Sequence, residues 1–223
     1  MGTAVIKVGG SLSQNPQSLR ALCVKLSELA KKHALVVVPG GGKFADCVRD
    51  FDKRFSLSSS VVHRMAILGM DQYGLLLSDL LPDCYVVDKL EDAKRLSGTG
   101  RLVVFLPSRF LFESDELENS WDVTSDSIAA YIAGRLHANR VLLVTDVDGV
   151  YTGDPKKEAD AKLIGKLTAQ QLLEKHVRTS VDEYLPKLLM KLKMDCYVVN
   201  GLYPERVETI LNGQNAICTI ITS

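Results

Sequence analysis

The chain has 223 residues, enough for one large or two small domains, and 46% of them are hydrophobic, so a sizeable core can form. Its 27 basic and 27 acidic residues give zero formal charge, which argues against nucleic acid or an anionic membrane as a partner. The five scattered cysteines lack the spacing of a redox motif or a zinc site, which predicts reduced thiols in a cytoplasmic protein and no metal held by side chains. Lys7, Gly9 and Gly10 interrupt the only N-terminal apolar run, so neither a signal peptide nor a transmembrane segment is predicted.

Short hydrophobic runs alternate with helical patterns through the first half of the chain. In order, they predict strand 3–8, helix 16–32, strand 35–38, helices 43–55 and 58–81, and strands 83–87 and 102–106. Strand 83–87 is expected near an edge of the sheet. Residues 107–120 are acidic and lack periodicity, so they are predicted to form an irregular loop or a lid.

The second half continues the alternation around a central block. A helix is predicted over 124–137, with Thr124 and Ser125 as N-cap candidates and Asp126 in the first turn, where a carboxylate suits the helix dipole. The unbroken aliphatic run 141–144 predicts a central parallel strand. Further along we expect helices 168–175 and 182–193, strand 196–199, helix 204–211 and strand 216–221. This alternation predicts one α/β domain with a mostly parallel sheet covered on both faces.

Two glycine clusters, at residues 9–10 and 40–42, lie directly after predicted strands and before helices. Glycine lets the backbone approach a ligand closely, and a helix N-terminus offers free N–H groups, so the combination suits phosphate. Neither cluster has the spacing of a Walker A loop or a dinucleotide fingerprint, and a pair of tight turns is the open alternative. A third turn, residues 145–151, follows the central strand, where ligands of open α/β sheets bind.

Two lysines stand out by their surroundings. Lys7 lies in a run of valine and isoleucine just before the first glycines. A lysine there is costly to bury without a partner, which favours a phosphate contact over an edge lysine that reaches water. Lys187 also has apolar neighbours, but its spacing alone favours a surface lysine on an amphipathic helix.

Four motifs together carry a resemblance to a known family. They are KVGGSL at 7–12, PGGG at 39–42, TSDS at 124–127, and TDVDGVY at 145–151 followed by Asp154. In this order they resemble the amino acid kinase family, which includes acetylglutamate, aspartate, uridylate and isopentenyl phosphate kinases. The resemblance implies a three-layer αβα sandwich with a mostly parallel central sheet. It also implies ATP-dependent phosphoryl transfer to a carboxylate, carbamate or phosphate, with Mg²⁺ held largely by the ATP phosphates.

The resemblance assigns roles by position. Lys7 would stabilise the phosphoryl group in transfer, Lys187 would be a second lysine on the nucleotide side, and Asp126 would orient both. The implied nucleotide-binding residues are Gly9, Gly10, Thr145, Asp146, Gly149, Val150, Tyr151 and Asp154. The implied substrate-binding residues are Gly41, Gly42, His63, Thr124 and Ser125. The glycines would act through backbone N–H groups. The chain would divide into an acceptor lobe over residues 1–120 and a nucleotide lobe over residues 121–223.

One segment departs from the family pattern. The usual glycine pair before the second lysine is missing, and SVDEYLP stands at 180–186, which leaves the surface alternative for Lys187 open. With SWDVTSDS at 120–127, this segment resembles the [5-(aminomethyl)furan-3-yl]methyl phosphate kinase branch of methanofuran and methylofuran synthesis. The branch implies a phosphomonoester acceptor and a diphosphate product. His63 is then a candidate to reach the acceptor and Asp71 a candidate partner for its amine, the alternatives being a capped or surface histidine and a solvated acid.

Two other functions stay open at this point. One is a different phosphate-acceptor kinase, for isopentenyl phosphate or a nucleoside monophosphate. The other is a non-catalytic nucleotide-binding storage or regulatory protein, against which the retention of Lys7, Asp126 and Lys187 together argues. We further predict a small-molecule substrate, a homo-oligomer, and neither nucleic acid nor membrane as a partner.

Overall fold

The computed structural model of the chain describes residues 2–114, 116–155, 157–174 and 180–223. Its strands are β1 (Ala4–Val8), β2 (Leu35–Pro39), β3 (Cys84–Val87), β4 (Leu102–Phe105), β5 (Arg140–Thr145), β6 (Lys166–Thr168), β7 (Cys196–Asn200) and β8 (Cys218–Thr222). Its helices are α1 (Pro16–Ala30), α2 (Gly42–Phe55), α3 (Ser59–Leu80), α4 (Leu90–Leu96), α5 (Ser108–Ser114), α6 (Ser125–Arg135), α7 (Ala169–Glu174), α8 (Leu185–Leu192) and α9 (Pro204–Leu211). A short 3₁₀ helix, Gly10–Gln14, joins β1 to α1.

The strands form one eight-stranded sheet in the order β3-β4-β2-β1-β5-β7-β8-β6. β1 lies inside the sheet and pairs in parallel with β2 and β5, so that Lys7 stands opposite Val38 on one side and Leu143 on the other. β7 and β8 run antiparallel, which reverses the last part of the sheet. Because the carboxyl ends of β1, β2 and β5 point the same way, the three turns singled out in the sequence meet at one end of the sheet.

Two core clusters cover opposite faces of this sheet. On one face Val5 packs with residues of α6 and α8, and on the other Ile6 and Val8 pack with residues of α1 and α9. The predicted three-layer αβα sandwich with a mostly parallel central sheet is therefore confirmed. Since side chains alternate along a strand, Lys7 shares the face of Val5, which is covered by α6.

Local signals set the ends of several helices. In α1, the side chain of Asn15 accepts the N–H of Ser18 at 3.1 Å, and Pro16 occupies the first turn, where its missing N–H costs nothing. Before α7, the hydroxyl of Thr168 accepts the N–H of Gln171 at 3.0 Å, and the Gln171 side chain accepts the N–H of Thr168 at 2.9 Å. This reciprocal capping confirms the predicted start of that helix. Its predicted end, residue 175, lies outside the described residues.

The structure corrects the expectation for residues 107–120. The segment is not irregular throughout, because α5 occupies Ser108–Ser114. Oδ1 of Asp71 accepts the N–H of Ser108 at 3.2 Å, so a side chain of α3 satisfies the first turn of this helix. A short helix that depends on a distant cap leaves little periodic signal of its own. α4 and β6 are also short, and the sequence pattern did not predict them.

Three further predictions concern the start of α8, the edge of the sheet and the membrane. α8 begins at Leu185 and not at residue 182, because the Asp182 side chain accepts the Leu185 N–H at 2.9 Å from outside the helix. Strand 83–87 is confirmed as an edge strand, since β3 ends the sheet. Within the described residues, no helix combines the length and apolarity needed to cross a membrane.

Candidate active site

A cavity of about 320 Å³ lies at the carboxyl ends of β1 and β2, enclosed by α2, α3 and the start of α6. This volume suits a small molecule. The wall contains all the residues predicted to bind the substrate, together with the predicted lysine and first glycines: Gly41, Gly42, His63, Thr124, Ser125, Lys7, Gly9 and Gly10. Residues far apart in sequence therefore converge on one cavity as the motifs predicted.

The two glycine clusters touch through their backbones inside this cavity. A Cβ on Gly10 would lie 2.1 Å from the Cα of Gly42, so a side chain at position 10 would force the two loops apart. Gly42 itself has a φ of +53°, a left-handed conformation that favours glycine. The tight-turn alternative thus describes part of the role of these glycines, because the turns are what bring the loops together.

The backbone amide of Gly9 is already engaged. It donates to the carbonyl of Val144 at 2.7 Å and so extends the pairing of β1 with β5. The carbonyl of Gly9 accepts the buried hydroxyl of Tyr73 at 3.2 Å. This corrects the expectation that Gly9 supplies an N–H group to a ligand. Gly9 instead holds the loop in place beside the cavity.

The best-placed backbone donors lie at the start of α2. The carbonyl of Gly41 accepts the first helical hydrogen bond, from Ala45 at 3.1 Å, and no side chain caps this end. The amides of Gly42, Lys43 and Phe44 consequently have no partner within the helix. Free amides at the positive end of a 14-residue helix attract an anion. This position can hold the phosphate of an acceptor.

Lys7 and Asp126 form a buried ion pair beside the cavity. Lys7 Nζ and Asp126 Oδ1 are 2.7 Å apart, and the two side chains are only 11% and 9% exposed. Burial raises the pKa of Asp126, and the neighbouring ammonium of Lys7 acts against that rise. Because Lys7 also lines the cavity, Asp126 anchors a cation at the cavity wall, a position that suits an anionic ligand. The prediction that Asp126 orients Lys7 agrees with this geometry.

Asp182 is a structural residue of the site for which no role was predicted from the sequence. Its Oδ2 accepts the Thr124 N–H at 2.9 Å, the Thr124 hydroxyl at 2.9 Å and the Ser127 N–H at 3.0 Å. Its Oδ1 accepts the Ser127 hydroxyl at 2.5 Å and the Leu185 N–H at 2.9 Å. One carboxylate therefore caps both α6 and α8. An acid three residues before an apolar helical run was the available signal.

Lys187 does not join the buried pair. It is exposed on α8, whereas Leu185, Leu188 and Leu189 are buried, so the lysine lies on the outer face of an amphipathic helix. Within the described residues, the ion pairs of Asp126 include Lys7 and not Lys187. Of the two lysines, Lys7 is the one paired with Asp126. The role of Lys187 as a second lysine on the nucleotide side stays a prediction, with the surface alternative beside it.

The loop after β5 is held partly by packing. Val150 is fully buried, and its N–H donates to the hydroxyl of Thr219 at 2.7 Å. A Cβ on Gly149 would lie 2.3 Å from the same hydroxyl oxygen, so Gly149 is required for this packing. Within the described residues, this loop contributes no side chain to the cavity wall. The nucleotide role of the following residues stays a prediction: Thr145, Asp146, Gly149, Val150, Tyr151 and Asp154.

Comparison with known proteins connects this geometry to a family. The sequence pattern that describes the amino acid kinase family matches residues 2–200. The chain belongs to the amino acid kinase family. This amino acid kinase is 40% identical over 220 residues to a [5-(aminomethyl)furan-3-yl]methyl phosphate kinase of Methanocaldococcus jannaschii. The aligned region covers 97% of this chain and 96% of the relative. It is 29% identical over 235 residues to a uridylate kinase of Archaeoglobus fulgidus, and this alignment covers 97% of this chain and 98% of the relative.

Solved structures give the same fold. A uridylate kinase from Archaeoglobus fulgidus superimposes with a TM-score of 0.76 at 24% identity, covering 100% of both chains. A UMP kinase from Ureaplasma parvum superimposes with a TM-score of 0.79 at 21% identity, covering 100% of this amino acid kinase and 99% of the other chain. The predicted family and the predicted resemblance to the furan phosphate kinase branch are both confirmed.

Proposed function

We propose that this amino acid kinase is an ATP-dependent enzyme that phosphorylates the phosphate group of [5-(aminomethyl)furan-3-yl]methyl phosphate, giving a diphosphate for methanofuran or methylofuran synthesis. The observation that carries the proposal is the buried Lys7–Asp126 pair beside a cavity between two glycine loops. It stands in a chain 40% identical over nearly its full length to a kinase named for that substrate. The relatives reported above are kinases, which favours catalysis over the storage alternative.

The residues of the cavity suit transfer between two phosphates. The free amides at the start of α2 would hold the acceptor phosphate, and Lys7 would neutralise charge on the oxygens in transfer. A phosphate dianion is a competent nucleophile near neutral pH, so the reaction requires no side chain as a general base. Bound ATP supplies the phosphoryl group. We propose that ATP contacts the loop after β5. We also propose that the border between the acceptor lobe and the nucleotide lobe lies near residue 120.

Magnesium would depend on the nucleotide. Within the described residues, no group of three or more His, Cys, Asp or Glu side chains is arranged to hold a metal ion. The hard oxygens that Mg²⁺ prefers would then come mainly from ATP phosphates and water. The described residues are thus compatible with Mg²⁺ that enters the site bound to ATP.

A substrate panel tests the proposed reaction. We expect kcat/KM to be highest for [5-(aminomethyl)furan-3-yl]methyl phosphate, compared with its unphosphorylated alcohol, isopentenyl phosphate, uridylate and acetylglutamate. Phosphorus NMR of the product should show the coupled signals of a diphosphate. Uridylate is the most informative competitor, because uridylate kinases share this fold and the one from Archaeoglobus fulgidus is 29% identical to this chain. Higher kcat/KM for uridylate would replace the proposed acceptor, and transfer to the free alcohol or to a carboxylate would refute it.

We also propose that the chain forms a homo-oligomer through α3. This 22-residue helix exposes Val61, Leu68 and Leu75, which recur every seven residues and so lie along one side. A second copy of the same apolar stripe would remove both from water. We expect light scattering to give at least a dimer, and Leu68→Glu combined with Leu75→Glu to lower the mass. A monomer at micromolar concentration in the unmodified chain would contradict this proposal.

A further inference from the structure

The proposed acceptor carries a charged amine, and this inference rests on that proposed function. An ammonium that enters a cavity is costly to desolvate unless a carboxylate meets it. The sequence pointed to Asp71, but that side chain caps α5 and does not belong to the cavity wall. Within the described residues, the wall contains two carboxylates, Asp46 and Asp52. Both belong to α2, the helix whose start faces the glycine loops.

Asp46 is already neutralised by two cations. Its carboxylate lies 3.1 Å from Nη1 of Arg49 and 3.9 Å from Nζ of Lys43. Its side chain is also 54% exposed, so water solvates it well. A substrate ammonium would have to compete with both cations and with water for this acid. Asp46 is therefore a poor counter-ion for the acceptor.

Asp52 has a different environment. It is half-buried, and its Oδ2 accepts the indole N–H of Trp121 at 3.0 Å, a neutral donor. Within the described residues, no lysine or arginine forms an ion pair with Asp52. The guanidinium of Arg49 instead lies over the Trp121 ring, 4.6 Å from its centroid. The cavity thus contains a carboxylate that is oriented by a neutral hydrogen bond and lacks a cation.

The spacing along α2 matches the proposed acceptor. From Gly42 to Asp52 the helix advances about 15 Å at about 1.5 Å per residue. Seven bonds separate the phosphorus from the amine nitrogen, and at roughly 1.2 Å of advance per bond they span about 8 Å. Contacts of about 3 Å at each end bring the total to about 14 Å. An acceptor with its phosphate on the free amides of α2 can therefore reach Asp52 with its amine.

We propose that Asp52 binds the ammonium group of the acceptor and that Trp121 positions Asp52 by its indole hydrogen bond. This arrangement makes Asp52 a specificity residue. It favours a phosphomonoester with an amine at the far end over one of the same length without an amine. It has no part in phosphoryl transfer itself, which takes place at the other end of the cavity beside Lys7.

The test compares two acceptors in matched variants. One acceptor is the aminomethylfuran phosphate, and the other carries a methyl group in place of the aminomethyl group. Asp52→Asn should lower kcat/KM for the amine acceptor by about 30-fold or more, as for a lost partner of a desolvated charge, and leave the methyl analogue within about threefold. Asp46→Asn is the matched control on the same helix and should change the ratio between the two acceptors by less than threefold.

Two further variants keep the test decisive. Asp52→Glu retains the charge and should recover part of the amine preference, which a purely structural role would not explain. Trp121→Phe removes the indole donor and should weaken the amine preference mainly through KM. An equal loss for both acceptors in Asp52→Asn, or a selective loss in Asp46→Asn, would overturn the assignment of Asp52. If neither furan phosphate is phosphorylated by the unmodified enzyme, the proposed function itself fails, which is a different result.

Discussion

Lys7→Ala should lower kcat/KM for phosphoryl transfer by about 10²–10³-fold, since a fixed cation at the transition state contributes several kcal/mol. The ammonium lies 2.7 Å from Asp126 and lines the cavity, so no mobile surface lysine can replace it at the same geometry. Steady-state kinetics with the proposed acceptor measures the effect. Lys191→Ala, an exposed lysine of α8, is the control and should retain full activity. Turnover near that of the unmodified enzyme in a folded Lys7→Ala variant would refute the catalytic role.

The same substitution should also destabilise the fold, in a pH-dependent way. Removing Lys7 leaves the Asp126 carboxylate buried without its cation, at a cost of about 3–5 kcal/mol. Burial already raises the pKa of Asp126, and without Lys7 that pKa rises further. The folded variant then binds a proton more tightly than the unfolded chain, so its stability falls as pH rises from acid towards neutral.

A double variant separates stability from catalysis. Lys7→Ala combined with Asp126→Asn removes the buried charge along with its partner, so urea denaturation at pH 7 should show most of the lost stability restored. Turnover should stay low, because the cation is still absent. Recovery of activity together with stability would mean that the pair acts only on the fold.

Asp182→Ala should cost about 3–5 kcal/mol of unfolding free energy. The Asp182 carboxylate accepts five hydrogen bonds from the starts of α6 and α8, and its removal leaves the amides of Thr124, Ser127 and Leu185 without that acceptor. Hydrogen bonds to a charged group contribute about 1.5–3 kcal/mol each, but bonds to a single group do not add fully. Urea denaturation measures the loss. Glu183→Ala, the exposed neighbour, should change stability by less than about 0.5 kcal/mol.

Loss of Asp182 should also lower the rate of phosphoryl transfer. The residues that it holds at the start of α6 flank Asp126, so a loosened helix start moves the anchor of Lys7. We expect kcat to fall at least tenfold under conditions where the variant is folded, because small displacements of catalytic groups are costly. Asp182→Asn keeps one carbonyl acceptor, so its kcat should lie between that of Asp182→Ala and that of the unmodified enzyme. A loss of stability below about 1 kcal/mol with normal kcat would show that water replaces the carboxylate.

The sequence predicted Lys7 well because the residue contradicts its surroundings. A lysine in a valine and isoleucine strand needs a partner, and Asp126 supplies it from the next layer. Lys187 lacked such a contradiction: its three neighbouring leucines define a buried face that it does not share. Helical periodicity places Lys187 on the outer face of α8, and the structure has it there. Family resemblance gives it a role toward the nucleotide, and that role stays a prediction.

Other features depended on contacts that periodicity does not encode. α5 is stabilised at its start by Asp71 of α3, which lies 37 residues before Ser108 in the chain. Asp52 lies on the side of α2 that also carries the buried Ala45 and Val48. The spacing of these residues does not tell that this end of the helix borders a cavity. That depends on the Trp121 segment folding back onto α2, a contact between residues distant in the chain.

The position of β1 has a consequence for how the protein is made. β1 is synthesised before β5, with which it pairs, and Lys7 finds its carboxylate only when α6 has been added. Until then the nascent chain carries a strand with one free edge and a lysine without its partner. Pairings over such sequence separations are slow to form, because the loop must close before the contact can stabilise it. The Lys7–Asp126 ion pair and the pairing of β1 with β5 are therefore late events, completed when the second half of the chain is available.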